Sequence, residues 1–316
     1  MDLTEQPLVS VVTPVHNGEK YLAECIESVL AQTYQNWEYL IVNNQSTDHT
    51  LAIAHDYSKK DKRIHIYNND HFLNVLQNHN HAFRLISHES KYCKAVHADD
   101  WIFPECLTKM VELAEKHPSI GVVGSYRLDN VKVNCDGIPY TVTVISGREI
   151  CRSIILGARC VFGSPTTTLI RSDAMRSRKF FYNENNFHAD KEACFDVLQS
   201  YDFGFVHQVL SFTRRHNRTI TSSVGEFNTS FLGNLIILKK YGSLCLHEEE
   251  YKKTLRKWRM KYYRFFMKSF FSKRKKRKEF WNYYKVELEE IGFPVTPVKL
   301  LKALFVHYFF KSFVYR

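Results

Sequence analysis

The sequence predicts an α/β fold with a mostly parallel central sheet flanked by helices, followed by a basic helical C-terminal extension. Three observations carry this prediction. Between residues 8 and 97, β-branched runs alternate with stretches of helical periodicity; polar clusters stand at the ends of those runs; and from Lys252 to the C-terminus there are 19 Lys and Arg against 4 acids. Strand and helix in strict alternation imply right-handed crossovers and a sheet covered on both faces.

The first strand is "LVSVVTPVHN", an apolar β-branched run that ends in Pro14, Asn17 and Gly18. Such a run suits a strand buried on both faces. "EKYLAECIESVLAQT" places Leu22, Ile26, Val29 and Leu30 at helical spacing. "WEYLIVNN" predicts the second strand, and "STDHTLAIAHDYSKK" a helix that Ser46, Thr47 or Asp48 can cap. "RIHIYNN", "VLQNHNHAFRLIS" and "YCKAVHA" continue the alternation as strand, helix and strand. Past residue 120 the pattern becomes α+β, with strand-like "IGVVGSY", "YTVTVI", "TTTLI" and "FGFVHQVLSFT" between helical "REICRSIILG" and "DKEACFDVLQSY".

At 316 residues with 44% hydrophobic content, the chain can bury a large core and is not disordered. The composition suggests a domain over residues 1–225, with halves 1–120 and 121–225, and an extension over 226–316. Net charge is +11, and the basicity belongs to the extension. Eight cysteines without a CxxC pattern read as buried thiols rather than a metal cluster or a disulfide framework. "MDLTEQPLVSVV" has no basic stretch before its first apolar run and no small-residue cleavage site, which predicts a cytoplasmic chain.

Ligands of parallel sheets bind beyond the carboxyl ends of the strands, so "TPVHNGE", "NNQSTD" and "HADD" should converge on one cleft. In "HADDWIFPECL", Pro104 suits the first helical position, which makes Phe103 the preceding residue and leaves Asp99 and Asp100 badly placed as caps. Carboxylates at a strand end can instead hold Mg²⁺ or Mn²⁺ against a diphosphate. Asn43 and Asn44 fit either turn formation or contact with a base or ribose edge. Asp190 and Glu192 precede an apolar helical stretch and can cap it; alternatively, an ionised aspartate there can take a proton from a sugar hydroxyl. In "FTRRHNRT", Arg214 and Arg215 present forks that match phosphate, and His216 can ligate metal or phosphate; solvated surface charge is the plain alternative.

Together these clusters resemble glycosyltransferase family 2, the inverting enzymes of the GT-A (nucleotide-diphospho-sugar transferase) fold. The family's "PxYN" and "SVLxQTY" are similar to "TPVHNGEKYLAECIESVLAQTY" here, its "VDDGSTDxT" to "VNNQSTDHT", and its "DxDDxxxP" to "HADDWIFP". The likeness is strong over residues 8–118 and recognisable to about residue 220. It implies that Thr13, Pro14 and Glu19 line a nucleoside pocket and that Asn44 meets the base, with a uridine nucleotide favoured. It implies that Asp99 binds the metal, with His97 replacing the first family aspartate and His216 a further ligand. Asp190 takes the place of the catalytic base, with Ala189 where the family has glutamate, and Arg214 and Arg215 fall near the diphosphate. The activity implied is transfer of a sugar from a nucleotide-sugar to a glycan or lipid-linked acceptor in bacterial surface polysaccharide synthesis. A sugar nucleotidyltransferase would need a Gly-rich loop that "PVHNGEKY" lacks, and without "QxxRW" a single-addition enzyme is expected over a processive one. The non-enzymatic alternative is a nucleotide-sugar-binding or membrane-associated scaffold with a decayed site.

In "YKKTLRKWRMKYYRFFMKSFFSKRKKRKEFWNYYK", cations interleave with aromatics at helical spacing. This suits an amphipathic helix on the anionic inner face of the cell membrane. A packed helical hairpin with a solvated basic face is the plain alternative. Nucleic acid is not expected as a partner, because no recognition motif accompanies the charge.

Overall fold

A computed structural model describes residues 6–186, 188–215 and 229–272, together with Tyr284 and Gly292. The chain divides into two compact units, Met1–Asn217 and Arg218–Arg316. In the first unit β1 (Val9–Val15), β2 (Trp37–Asn43), β3 (Ile64–Asn68) and β4 (Tyr92–Ala95) alternate with α1 (Leu22–Leu30), α2 (Thr50–Ser58) and α3 (Val75–Leu85). There follow β5 (Trp101–Ile102), α4 (Cys106–Lys116), β6 (Ile120–Asp129), β7 (Lys132–Asn134), β8 (Val144–Ile145) and α5 (Gly147–Leu156). A 3₁₀ turn (Pro165–Thr167), β9 (Leu169–Arg171), α6 (Ser172–Arg176), α7 (Ala189–Val197) and β10 (Asp202–Thr213) complete the unit.

The ten strands form one sheet, ordered β3-β2-β1-β4-β9-β6-β10-β5, with β7 on β6 and β8 on β10. Pairing is parallel among β1 to β4 and between β6 and β10, whereas β9 runs antiparallel to both of its neighbours. Residues 9–13 of β1 are all buried, as the unbroken apolar run requires, and α1 turns Leu22, Cys25, Ile26 and Val29 inward. Register fixes the cleft. Val15 pairs with Asn43, Asn43 with Asn68, and Val12 with Ala95, so the polar residues that follow β1, β2 and β4 emerge at one edge.

Local structure departs from expectation at two helix starts. Helix α4 begins at Cys106 after Glu105, so Pro104 lies in the preceding turn, and the two aspartates play no capping part. Helix α2 has His49 at its N-cap position; Asp48 instead accepts from Thr50 N at 3.0 Å and from Glu19 N at 3.1 Å. Of "YTVTVI" only Val144–Ile145 forms a strand.

The second unit contains α8 (Thr229–Cys245) and α9 (Glu248–Ser272). Phe231 of α8 stacks on Tyr262 and Phe265 of α9, with Trp258 alongside. Among the described side chains of α9, Tyr262, Tyr263 and Phe266 are buried in this unit, while Lys252, Lys253, Arg256, Lys257, Arg259, Lys261 and Arg264 are exposed. Residues 273–283 and most of the remaining tail lie outside the described residues. Among the described residues, no helix is long and apolar enough to cross a membrane.

Candidate active site at the strand ends

The loop after β1 holds Asn17 at φ 51°, a conformation asparagine tolerates better than most residues. There its Oδ1 accepts from Thr47 N at 2.8 Å, and Gly18 N donates to Thr50 Oγ1 at 2.7 Å. A Cβ on Gly18 would stand 2.6 Å from the Val15 side chain, so the turn needs glycine. Glu19, expected in a nucleoside pocket, accepts from the backbone N–H and Nδ1 of His49; those bonds hold its carboxyl below the usual range. Thr13, expected beside it, is fully buried: its hydroxyl donates to Val96 O at 2.8 Å and lies 2.9 Å from the Tyr39 hydroxyl, so it ties β1 to β4 beneath the cleft. Pro14 faces the other side of the strand and is partly exposed.

Asn44 is also committed within the protein. Its Oδ1 accepts from Leu73 N and Asn69 Nδ2, its Nδ2 donates to Leu73 O at 2.8 Å, and the residue is 3% exposed. The carboxamide thus acts as a surrogate peptide clamping the 69–73 loop, which leaves it at most one N–H for a base.

The "HADD" segment forms a turn closed by Asp100 N donating to His97 O. Asp100, whose role the sequence left open, is the buried hub. Oδ2 accepts from the Thr166 hydroxyl at 2.7 Å and lies 3.4 Å from the Thr213 hydroxyl; Oδ1 accepts from Arg214 N at 3.0 Å. Burial pushes its carboxyl up, opposed by His97 and by these hydrogen bonds. Arg214 donates from Nε to Asp99 O, pairs with Glu24 and lies 4.2 Å above the Tyr21 ring. Trp101 and Phe212 stack beside it at 3.7 Å. Arg215 points elsewhere, with its guanidinium on Asp129 at 2.9 Å. His216 lies outside the described residues.

His97 contacts a partner that the sequence did not single out. Its Nε2 is 3.3 Å from Nε2 of His79 on α3, whose Nδ1 is 2.8 Å from Val75 O. Burial pulls the His79 imidazole down to about 3, so it is neutral. Ligand atoms of His97, Asp99 and Asp100 all lie within 4.8 Å of one another. One imidazole nitrogen and carboxylate oxygens around one point are a donor set that suits a divalent cation, so these residues fit the metal the family resemblance implies.

Asp190 sits in the first turn of α7 and lines a pocket with Phe162, Gly163, Ser164, Tyr182, Lys191 and Cys194. Glu192 is 3% exposed and accepts from Asn183 and Asn186, an anchoring role rather than a capping one. The segment from Gly163 to Thr168 links this pocket to the acid cluster. Ser164 faces the pocket, whereas the Thr166 hydroxyl accepts from His97 N at 3.1 Å and donates to Asp100. Lys94, completely buried on β4, donates to Thr166 O at 2.7 Å and Thr168 O at 3.3 Å and locks that segment to the sheet. His79, Lys94, Thr166 and Thr213 were not legible as site residues. A polar trio, Asn78, His79 and Asn80, buried on one helix is the only sequence hint of the first.

This architecture is the GT-A fold. It superposes on the crystal structure of S. aureus TarS 1–349 in complex with UDP-GlcNAc with a TM-score of 0.66 at 17% identity, over 93% of this chain and 86% of that one. The model of the family described as glycosyl transferase family 2 matches residues 10–187, and the chain belongs to that family. An uncharacterized glycosyltransferase of Haemophilus influenzae is 33% identical over 189 residues, 58% of this chain and 58% of that protein. TuaG of Bacillus subtilis, assigned by its name to teichuronic acid biosynthesis, is 46% identical over 61 residues, 19% of this chain and 24% of its own. The chain thus spans little more than half of the first relative and a quarter of the second.

Proposed function

We propose that the chain is an inverting glycosyltransferase that moves a sugar from a nucleotide-sugar, a UDP-sugar favoured, to a hydroxyl of a glycan or lipid-linked acceptor. The supporting observation is that the His97, Asp99 and Asp100 cluster and Asp190 flank one segment, Gly163 to Thr168. The complex of TarS with UDP-GlcNAc supports the donor class, and the naming of TuaG for teichuronic acid synthesis supports a bacterial surface polysaccharide as the product.

Asp190 accepts the proton of the acceptor hydroxyl as its oxygen bonds to the anomeric carbon. The bond from that carbon to the phosphate oxygen breaks on the opposite face, and the nucleoside diphosphate leaves with the electron pair. Arg214, held over Tyr21, offers its guanidinium to the developing phosphate charge. Asp99 and His97 would hold Mg²⁺ or Mn²⁺, which supplies further charge neutralisation to the diphosphate when bound. Stacked Trp101 and Phe212 keep water from the floor beneath Arg214, where a drier setting strengthens each charge interaction.

The exposed cations of α9 make peripheral contact with the anionic inner face of the cell membrane. The test is hydrolysis of a panel of nucleotide-sugars by the purified chain, with and without Mn²⁺. Metal-dependent release of nucleotide from one donor supports the reading. Binding without turnover in the presence of acceptor extracts would favour the decayed scaffold, for which the committed amide of Asn44 is the one structural argument.

A further inference from the structure

We propose that His79 is a positioning residue for the cation site: it fixes His97 as the Nε2–H tautomer and so turns the Nδ1 lone pair toward Asp99 and Asp100. The inference rests on the reading that a divalent cation binds there. A carbonyl oxygen only accepts, so Nδ1 of His79, 2.8 Å from Val75 O, carries a hydrogen. His79 is 6% exposed and packed between the rings of Phe83 and Tyr182, an environment that keeps an imidazole neutral with one N–H. Its Nε2 is therefore a bare lone pair.

The facing Nε2 of His97 is 3.3 Å away, and two lone pairs would repel at that distance. The shared hydrogen must come from His97. With its Nε2–H directed at His79, the nitrogen of His97 left to ligate is Nδ1, the atom that lies 3.9 Å from Asp100 Oδ2. A helix carbonyl, two imidazoles and a carboxylate cluster thus form one directed chain. Metal-ligating histidines generally donate their second N–H to such a partner, which fixes the ring and raises its basicity. Asp100 is already held by Thr166 and Arg214 N, so the orientation of His97 decides whether the site can replace the missing family carboxylate. An imidazole ligand also shifts preference from Mg²⁺ toward Mn²⁺.

The test uses the full chain without nucleotide. Long-range ¹H–¹⁵N correlation of labelled histidines should report His97 as the Nε2–H tautomer in the absence of metal. Calorimetric titration with MnCl₂ should show binding that is lost in Asp99→Asn and weakened about 10- to 100-fold in His79→Leu. His79→Gln, whose carbonyl can accept the same hydrogen, should bind within a few-fold of the unmodified chain. An Nδ1–H tautomer of His97, or Mn²⁺ binding by His79→Leu equal to that of the unmodified chain, overturns the role of His79 alone. No Mn²⁺ binding by the unmodified chain removes the cation reading and this inference with it.

Discussion

The backbone N–H of Arg214 donates to Oδ1 of Asp100 at 3.0 Å, across 114 residues of chain. This bond joins the end of β10 to the turn after β4, and the opposite carboxylate oxygen holds Thr166. Asp100 therefore assembles the site whether or not it touches a ligand. Asp100→Ala strands the Arg214 N–H and the Thr166 hydroxyl in a buried setting, and each orphaned group costs about 1–3 kcal/mol. We expect roughly 3 kcal/mol loss in urea unfolding with an unchanged m-value, and about half that for Asp100→Asn, which keeps an acceptor for Arg214. A midpoint for Asp100→Ala equal to that of the unmodified chain would rule out the hub.

The role proposed for Asp190 is proton abstraction. Asp190→Asn should bind the nucleotide-sugar donor with little change but lose turnover by about 10²- to 10⁴-fold, the usual contribution of a positioned base. Donor affinity by calorimetry and turnover by product release separate the two effects. Turnover retained within a few-fold would remove Asp190 from the mechanism.

The neighbouring arginines should behave differently although the sequence treats them alike. Arg214 lies over Tyr21 and donates to Asp99 O, whereas Arg215 pairs with Asp129. A hydrogen bond to a charged group is worth about 1.5–3 kcal/mol, so Arg214→Ala should lower kcat/KM roughly 10- to 100-fold. Arg215→Ala should stay within about 3-fold of the unmodified chain, since its lost ion pair is partly exposed. Equal losses in the two variants would contradict this division.

That contrast marks the limit of what could be read from the sequence. The alternation from β1 to β4 was legible because apolar runs and helical stripes are local signals, and the convergence of the strand-end polar clusters followed from topology. Asp100 was not recognisable as the hub, because Thr166 and Arg214 are 66 and 114 residues away. The strand-like run "TTTLI" announced β9, but not its antiparallel place between β4 and β6, which only long-range pairing sets. Thr13 and Asn44 matched family positions, but their hydroxyl and amide are held by Val96 and Leu73, contacts that only tertiary structure creates.

Cys25 is one of several buried thiols that give the fold an alkaline limit. Burial pushes its thiol up from an ordinary 9.0 to about 12. Above pH 9 the unfolded chain releases this proton while the folded chain keeps it, so stability present below pH 9 falls as pH rises toward 12. The slope is about 1.4 kcal/mol per pH unit for one group, or about 1.4 kcal/mol by pH 10. Urea unfolding at pH 8 and pH 10 should show at least this loss, since Cys93, Cys106, Cys135 and Cys194 are raised in the same sense, and Cys25→Ala, less stable at both pH values, should show a difference smaller by about 1.4 kcal/mol. An unchanged difference would mean that this thiol does not contribute to the limit.

The packing of α9 decides what kind of membrane contact is possible. Tyr262 and Phe266 are fully buried within the second unit, so among the described side chains the exposed surface of this helix is cationic rather than apolar. Attraction of each Lys or Arg to an anionic surface is worth about 1 kcal/mol and is screened as the Debye length shrinks from about 10 Å at 0.1 M salt to about 3 Å at 1 M. Insertion of an apolar face would not respond in this way. Co-sedimentation with phosphatidylglycerol-containing vesicles should therefore be strong at 50 mM NaCl and lost by about 0.5 M NaCl, and it should be weak with neutral vesicles at any salt. Reversal of four exposed cations, Lys253→Glu, Arg256→Glu, Lys257→Glu and Lys261→Glu, should weaken the low-salt binding. Binding that survives 0.5 M NaCl would instead require an apolar anchor, one that the described surface of α9 does not provide.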